Sequence, residues 1–338
     1  MANYLPSILV DAIGLLTEQF QKFERRKPFY GAHELYLKER QFSLPNLDQI
    51  RLSENRTTTT KYLKKSTQTV GSARACAPTA SFGDSGTVDL SWTPYVVTVT
   101  TSDKMFRNNY YGQVQALAND LYYAFMSLHD DVETDMVAHL EANKTGVNSG
   151  SSWLGTFDTV NDIFPIAFAN KNDYYNYIRT VMRENKYSGD LNLVQNVAAK
   201  AIMDYQGAQG PGNSTNLQYN YPGMSFLESS SVTSGSDYNI ISYVGEAASV
   251  GVLDWIPGIN RDGKVKGDRE WTTMSDMFGF FPEISVFKLD ACSDTTATGG
   301  ATQDPTAIWE LSVDLSLVKA PISTSTEEAI YKFGWLSS

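Results

Sequence analysis

The chain has 338 residues, enough for one large domain or two. An apolar fraction of 42% beside only 19% charged residues excludes a disordered chain, and plentiful Ser, Thr, Asn and Tyr suit strands and extended contact surfaces. The net charge of −11 excludes tight sequence-independent nucleic-acid binding through the whole surface, and no run of about 18 apolar residues marks a membrane span.

Residues 1–46 predict a terminal arm. Pro6 suits a first helical position, and Ile8, Leu9, Ala12, Ile13, Leu16, Phe20 and Phe23 recur at helical spacing. Asp11 breaks the apolar run and no basic residue precedes it, so this is not a signal peptide. Glu24 to Pro28 ends the helix, and a short helical patch from Ala32 to Arg40 stops before Pro45. The stripe is expected to dock through Ile8, Leu9, Ile13, Leu16 and Phe20, on its own domain or on a neighbouring subunit.

Residues 47–101 change character. Arg51, Arg56, Lys61, Lys64, Lys65 and Arg74 face one acid, Glu54, a net of +5 over residues 51–74 in a strongly negative chain. Thr57 to Leu63 is β-prone, Gly71, Pro78, Gly83 and Gly86 mark turns, and Thr87 to Thr100 reads as a returning strand broken at Pro94. The prediction is a long, positively charged two-stranded loop. Such a ribbon is marginal alone and needs a surface to lie on; basic residues interleaved with Tyr62 leave nucleic-acid contact as the other reading.

From Asn108 to Lys144, Val114, Leu117, Ala118, Leu121, Phe125, Leu128, Val132, Met136 and Leu140 predict one apolar helix face, stopped at Thr145-Gly146. Globular helices average about 11–12 residues, whereas this one would run roughly 50 Å. Between Asn108 and Asn143 it carries no Lys or Arg, against Asp120, Asp130, Asp131, Glu133, Asp135 and Glu141. A rod of one sign is suited to a positive partner, and the cluster from Asp130 to Asp135 reads as a solvated or partner-facing surface, since neighbours i and i+1 diverge on a helix.

Beyond Gly150, Trp153 to Ala169 is aromatic-rich and split by Pro165; Asn172 to Glu184 and Leu191 to Tyr205 read as helices. Met224 to Leu227, Tyr238 to Val244 and Ser249 to Trp255 read as short strands. Gly258 to Arg269 is expected to be an exposed loop carrying Arg261, Lys264, Lys266 and Arg269. Glu283 to Leu289 and Ala307 to Val318 alternate and predict an antiparallel pair.

Chemistry is hard to find. His33, His129 and His139 are expected in ordinary structural roles; His129 and His139, ten residues apart on one helix, point to different sides and do not share a metal. Nucleophile-elbow, zinc-helix, phosphate-loop and dinucleotide motifs are absent, Gly207 to Gly212 lacks the Lys-Ser/Thr of a phosphate cradle, and Asp262-Gly263-Lys264 lacks the acids of a calcium loop. Cys76 and Cys292 read as reduced thiols. No catalytic, cofactor-binding or metal-ligating residue is predicted, and the weight moves from enzyme towards assembly.

The order of parts carries a resemblance: amphipathic arm, long basic β-loop, long helix, mixed region, closing strands. The passage Pro94 to Val97 through Met105-Phe106 into His139 to Thr145 and the segments Tyr238 to Ile241 and Gly251 to Trp255 resemble the major capsid protein of tailed double-stranded DNA phages, the Hong Kong 97 type. The closing Ile330-Tyr331-Lys332-Phe333-Gly334 is similar to tails of capsid proteins from phages of Bacteroidetes hosts, including crAss-like relatives.

The resemblance implies an α+β Hong Kong 97-like capsid fold: N-arm (1–46), extended β-loop (47–101), peripheral domain with spine helix (102–188), axial domain (189–280), and closing strands with a tail shared between the last two (281–338). It implies self-assembly into hexamers and pentamers of an icosahedral shell, with portal, scaffold and decoration proteins as partners and packaged double-stranded DNA touched only weakly. The location implied is the virion, after assembly in the bacterial cytoplasm. The basic loop would lie on the acidic helix of a neighbour, where opposite signs guide register. Any scaffold is expected to be a separate protein or to have been removed. Lys61, Lys64 and Lys65 occupy the segment that some members cross-link, but no acceptor is identifiable and no cross-link is expected. The alternatives are an encapsulin-like nanocompartment shell and a β-rich surface or carbohydrate-binding protein.

Overall fold

The computed structural model describes residues 7–22, 29–38, 57–63, 85–102, 112–145, 155–201, 203, 223–246, 250–254, 263–266, 269–281, 283–294, 303–320 and 330–337. The apolar stripe recognised in the sequence forms α3, Gln113–Ala142. Its start is tied by the Gly112 backbone N–H donating to the Gln115 side chain, and its end by Asn143, whose backbone and side-chain nitrogens both donate to the His139 carbonyl. Leu117, Leu121, Phe125, Leu128, Val132, Met136 and Leu140 are all buried, so one face of the helix is a continuous seam of core.

Two sheets meet that helix. The first is all antiparallel, in the order β3 (Thr93–Ser102), β12 (Gln303–Lys319), β11 (Ile284–Asp294), β10 (Arg269–Met274), β9 (Gly263–Lys266). β8 (Val250–Asp254) pairs with the last part of β12, beyond the end of β11. The predicted pairing of the two closing strands is present, and their alternation puts Trp309, Leu311, Val313 and Leu315 into the core. Pro94 sits inside β3 opposite Asp314; among the described residues β3 pairs with β12 alone, and an edge strand is where a proline is tolerated. The break in the returning segment therefore falls at Trp92, between β2 (Ser85–Ser91) and β3.

The second sheet runs β4 (Phe164–Ile166), β13 (Ile330–Leu336), β7 (Tyr238–Glu246), β5 (Leu191–Asn196), β6 (Met224–Ser229), with parallel pairs at both ends. Helix α4 (Tyr174–Glu184) covers one face through Tyr174, Tyr177, Ile178 and Val181, which meet Leu193, Ile240, Val244 and Phe333. Val194, Ile241, Tyr243 and Ile330 point the other way and join the core around α3. A division between residues 188 and 189 would separate α4 from the sheet it covers.

Three readings of the sequence are corrected. Leu191 to Asn196 is a strand, not the start of a helix: it lies between β6 and β7 with both faces covered, so all six residues are buried and no alternation appears. The basic segment before residue 269 is not simply a loop, because it contains β9. Ile330 to Gly334 is not a tail but an inner strand, hydrogen-bonded on both sides.

Candidate assembly surfaces

Part of the predicted ribbon exists: β1 (Thr57–Leu63) and β2 pair antiparallel from Thr57↔Ser91 to Leu63↔Ser85 and form a two-stranded sheet of their own, whereas the rest of the predicted returning strand is β3, which belongs to the first large sheet. At its base Leu90 and Trp92 pack with Leu253 and Val318. Further out, Tyr62 faces Gly86, where an added Cβ would stand 2.6 Å from the phenol ring, so the ring covers the glycine. The opposite face is exposed along its length: Thr57, Thr59, Lys61 and Leu63 on β1, Ser85, Thr87, Asp89 and Ser91 on β2. Leu63, at the end of β1, is 88% exposed.

Of the predicted loop cations only Lys61 is described, and it is exposed; Arg51, Arg56, Lys64, Lys65 and Arg74 lie outside the described residues. Asp89 opposes Lys61 in sign on the same face and accepts a hydrogen bond from Thr59 Oγ1 at 2.7 Å.

The six acids of α3 have different fates. Asp131 is exposed and Asp120 half-buried. Asp130 and Asp135, both exposed, accept hydrogen bonds from the Tyr30 and Tyr95 hydroxyls at 2.9 and 2.8 Å, and burial together with these carboxylates pushes both phenols up. Glu133 corrects the expectation of an outward acidic face, while Glu141, partly exposed, is already taken up by partners of its own chain. Glu141 takes Lys332 Nζ on both oxygens, Lys144 Nζ at 2.6 Å and the Tyr243 hydroxyl at 2.6 Å. Burial opposes its charge, but those donors outweigh it and hold the carboxyl down at about 2. Glu133 is fully buried. Its oxygens accept the Ala32 and His33 backbone N–H groups, each at 2.9 Å, so it caps α2 (Gly31–Lys38) from the long helix. The Ser229 hydroxyl on β6 donates to the same carboxylate.

The arm docks on its own chain. In α1 (Ser7–Lys22) Leu9, Ala12 and Leu16 are buried in the core around α3, and Ile13 packs partly against it. Ile8 and Phe20 fall within the helix, but their side chains lie outside the described residues.

What sequence reasoning missed is a buried polar chain. His33 Nδ1 meets Glu133 Oε2 at 2.6 Å, His33 Nε2 meets His129 Nδ1 at 3.3 Å, and His129 Nε2 meets Asp276 Oδ1 at 2.9 Å. Asp276 lies in the turn between β10 and β11, and its oxygens also accept the backbone N–H groups of Phe278, Phe280 and Phe281. Burial works against its ionisation; the bonds from His129 and from those amides hold its carboxyl below the usual range all the same. One half of the chain was available as a signal, since His129 and Glu133 are four apart on one helix and share a face. His139 stands apart: its Nδ1 meets the Tyr36 hydroxyl at 2.6 Å, and burial lowers it to about 4. Among the described residues no group of three or more His, Cys, Asp or Glu could hold a metal ion, and no helix is long and apolar enough to cross a membrane.

No family model matches the sequence, and no curated protein matches it. Among solved structures, a chain from Mycobacterium phage Bobi aligns with a TM-score of 0.51 at 12% identity, over 93% of this chain and 93% of that one. The capsid of a native GTA particle aligns at 0.48 and 10% identity over 84% and 86%, and the capsid of the cyanophage P-SCSP1u at 0.47 and 9% over 85% of each. At 12% identity, and nearly end to end in both chains, the likeness to the phage Bobi chain is one of fold.

Proposed function

We propose that this chain is a major capsid protein of the Hong Kong 97 type, assembling into hexamers and pentamers of an icosahedral phage shell around double-stranded DNA. The observation that carries the reading is the β1–β2 ribbon, which pairs with neither large sheet and leaves one full face in solvent. A lone two-stranded ribbon is marginal in water, and a second copy supplies the missing surface. The fold shared with a phage chain over 93% of both molecules supports the same assignment. In this reading the ribbon is the extended loop, α3 the spine, and Asp131 with Asp120 the outward acids that meet the loop cations of a neighbour.

Each exposed ion pair is worth only about 0–1 kcal/mol, so charge sets register while buried aromatic and aliphatic side chains supply the cohesion. The net charge of −11 suits a container whose wall must not hold its DNA tightly. Portal and scaffold proteins are the partners this role calls for, with a decoration protein as an optional addition, the virion is its location, and the host cytoplasm its place of assembly. The role is structural rather than catalytic.

Deleting residues 51–75 tests it. The subunit should stay soluble, and electron microscopy should show no closed shells. Particles of normal size built from the deleted chain would remove the ribbon's role, and particles filled with a cargo enzyme instead of a genome would favour a nanocompartment.

A further inference from the structure

The chain Glu133–His33–His129–Asp276 joins three separate parts of the molecule: α2, α3 and the turn between β10 and β11. All four side chains are buried, with no exposed surface at either ion pair. Its proton count follows from geometry. Glu133 already accepts two backbone N–H groups and the Ser229 hydroxyl, and Asp276 accepts three backbone N–H groups. Both are therefore acceptors for the rings, so His33 Nδ1 and His129 Nε2 each carry a hydrogen. The two inner nitrogens, 3.3 Å apart, can bond only if one hydrogen lies between them. A hydrogen bond at that contact means three protons on two imidazoles, and one positive charge between two carboxylates.

We propose that this chain is an acid-released latch between α2 and the β10–β11 turn, both of which are seated on the long helix. A fourth proton would set N–H against N–H at the central contact, leaving no acceptor there. Each imidazolium would still pair with its own carboxylate, so the break falls between His33 and His129, and with it the link between α2 and the turn. Tyr30, Phe278, Phe280 and Phe281 surround the rings, Phe281 stacked on His129 at 5.4 Å, and both rings are fully buried. Opening must therefore move α2 or the turn.

The charged and titratable groups around the rings come from every packed element. On and before α2 there are Tyr30, bonded to Asp130, and the exposed Glu34; on α3, Asp130, Glu133 and Tyr122; in the turn, Asp276; on β6, Glu228, paired with Lys200 at 3.6 Å. Burial holds His33 below its ordinary range, against the pull of Glu133, which sets the trigger on the acid side. The latch belongs to the single chain and stands whether or not the chain builds a shell.

Full-length protein labelled with ¹⁵N-histidine gives three imidazole systems to follow from pH 8 to pH 5. The expected result is one charge shared by His33 and His129 near neutral pH, and a fourth proton taken up on acidification. In step with it, amide exchange in residues 31–38 and 276–281, corrected for intrinsic rates, should speed by about tenfold per pH unit. His129→Gln keeps a donor towards Asp276 but cannot titrate, and should flatten that pH dependence. Two neutral rings throughout, protection that ignores pH in the unsubstituted chain, or a His129→Gln chain with unchanged pH dependence would each overturn the latch; if His129→Gln does not fold, the ring spectra and exchange of the unsubstituted chain decide.

Discussion

Lys332 Nζ lies 3.0 and 2.8 Å from the two carboxylate oxygens of Glu141, joining β13 to the C-terminal end of α3 across 191 positions of sequence. Lys332 also stands over the Tyr243 ring at 5.6 Å. Glu141 is 41% exposed, so solvent screens the pair. Lys332→Met, which keeps the aliphatic stem, should cost about 1 kcal/mol by urea unfolding at pH 7. The folded carboxyl titrates at about 2 against an ordinary 4.5, so its contribution is complete above 4.5 and fades as pH falls towards 2. The substituted chain should therefore lose less stability than the original between pH 4.5 and pH 2. Parallel curves over that interval would refute the network.

Two glycines in neighbouring helices should respond with opposite sign. An added Cβ at Gly14 of α1 meets nothing within 4 Å, so Gly14→Ala should stabilise by about 0.5–1 kcal/mol through helix propensity alone. At Gly31 the same atom would stand 2.4 Å from the Glu228 carbonyl oxygen, a backbone atom that cannot swing aside. Gly31→Ala must push α2 off β6 and disturb the Glu133 cap, at a cost of about 1–3 kcal/mol. Thermal unfolding of the two variants side by side reads the difference, and equal behaviour would mean that α2 does not sit as closely on β6 as described.

These contacts mark where the sequence stops being readable. The stripe from Leu117 to Leu140 and the alternation of β12 are legible because one face of each is core and the other is not, and the period carries through the whole element. Leu193 and Val194 are both fully buried, on opposite faces of β5, and erase the alternation that would have identified the strand. Glu133 looks like its neighbours Asp131 and Asp135 in sequence; what distinguishes it is the N-terminus of α2, one hundred residues away in the chain, arriving at that turn of α3. His33 is invisible for the same reason. The ribbon was legible from its threonines and flanking turn residues, but most of the cations that gave it meaning lie outside the described residues.

The arm gives a test of whose surface it uses. Leu16 is 4% exposed and packs in the core around α3 of its own chain. Leu16→Ala should cost about 2–5 kcal/mol, as a buried aliphatic truncation does. Because the partner surface is intramolecular, that loss should appear in the isolated subunit and be the same at low and high protein concentration. A loss that vanishes on dilution would place the arm on a neighbour instead.

Leu63 reverses that logic. At 88% exposure it contributes nothing to its own chain's core, and it stands on β1 where the ribbon's outer face offers threonines and Lys61 to whatever lies against it. Leu63→Asp should leave the subunit's unfolding midpoint within about 0.5 kcal/mol of the original, as surface changes do. If the ribbon rests on a second copy, the same change puts a charge into that contact and cuts particle yield sharply, because a buried unpaired carboxylate costs several kcal/mol. Particle counts by electron microscopy, set against subunit unfolding, separate the two effects. Normal yield from the Leu63→Asp chain would show that the end of β1 faces solvent in the assembled shell.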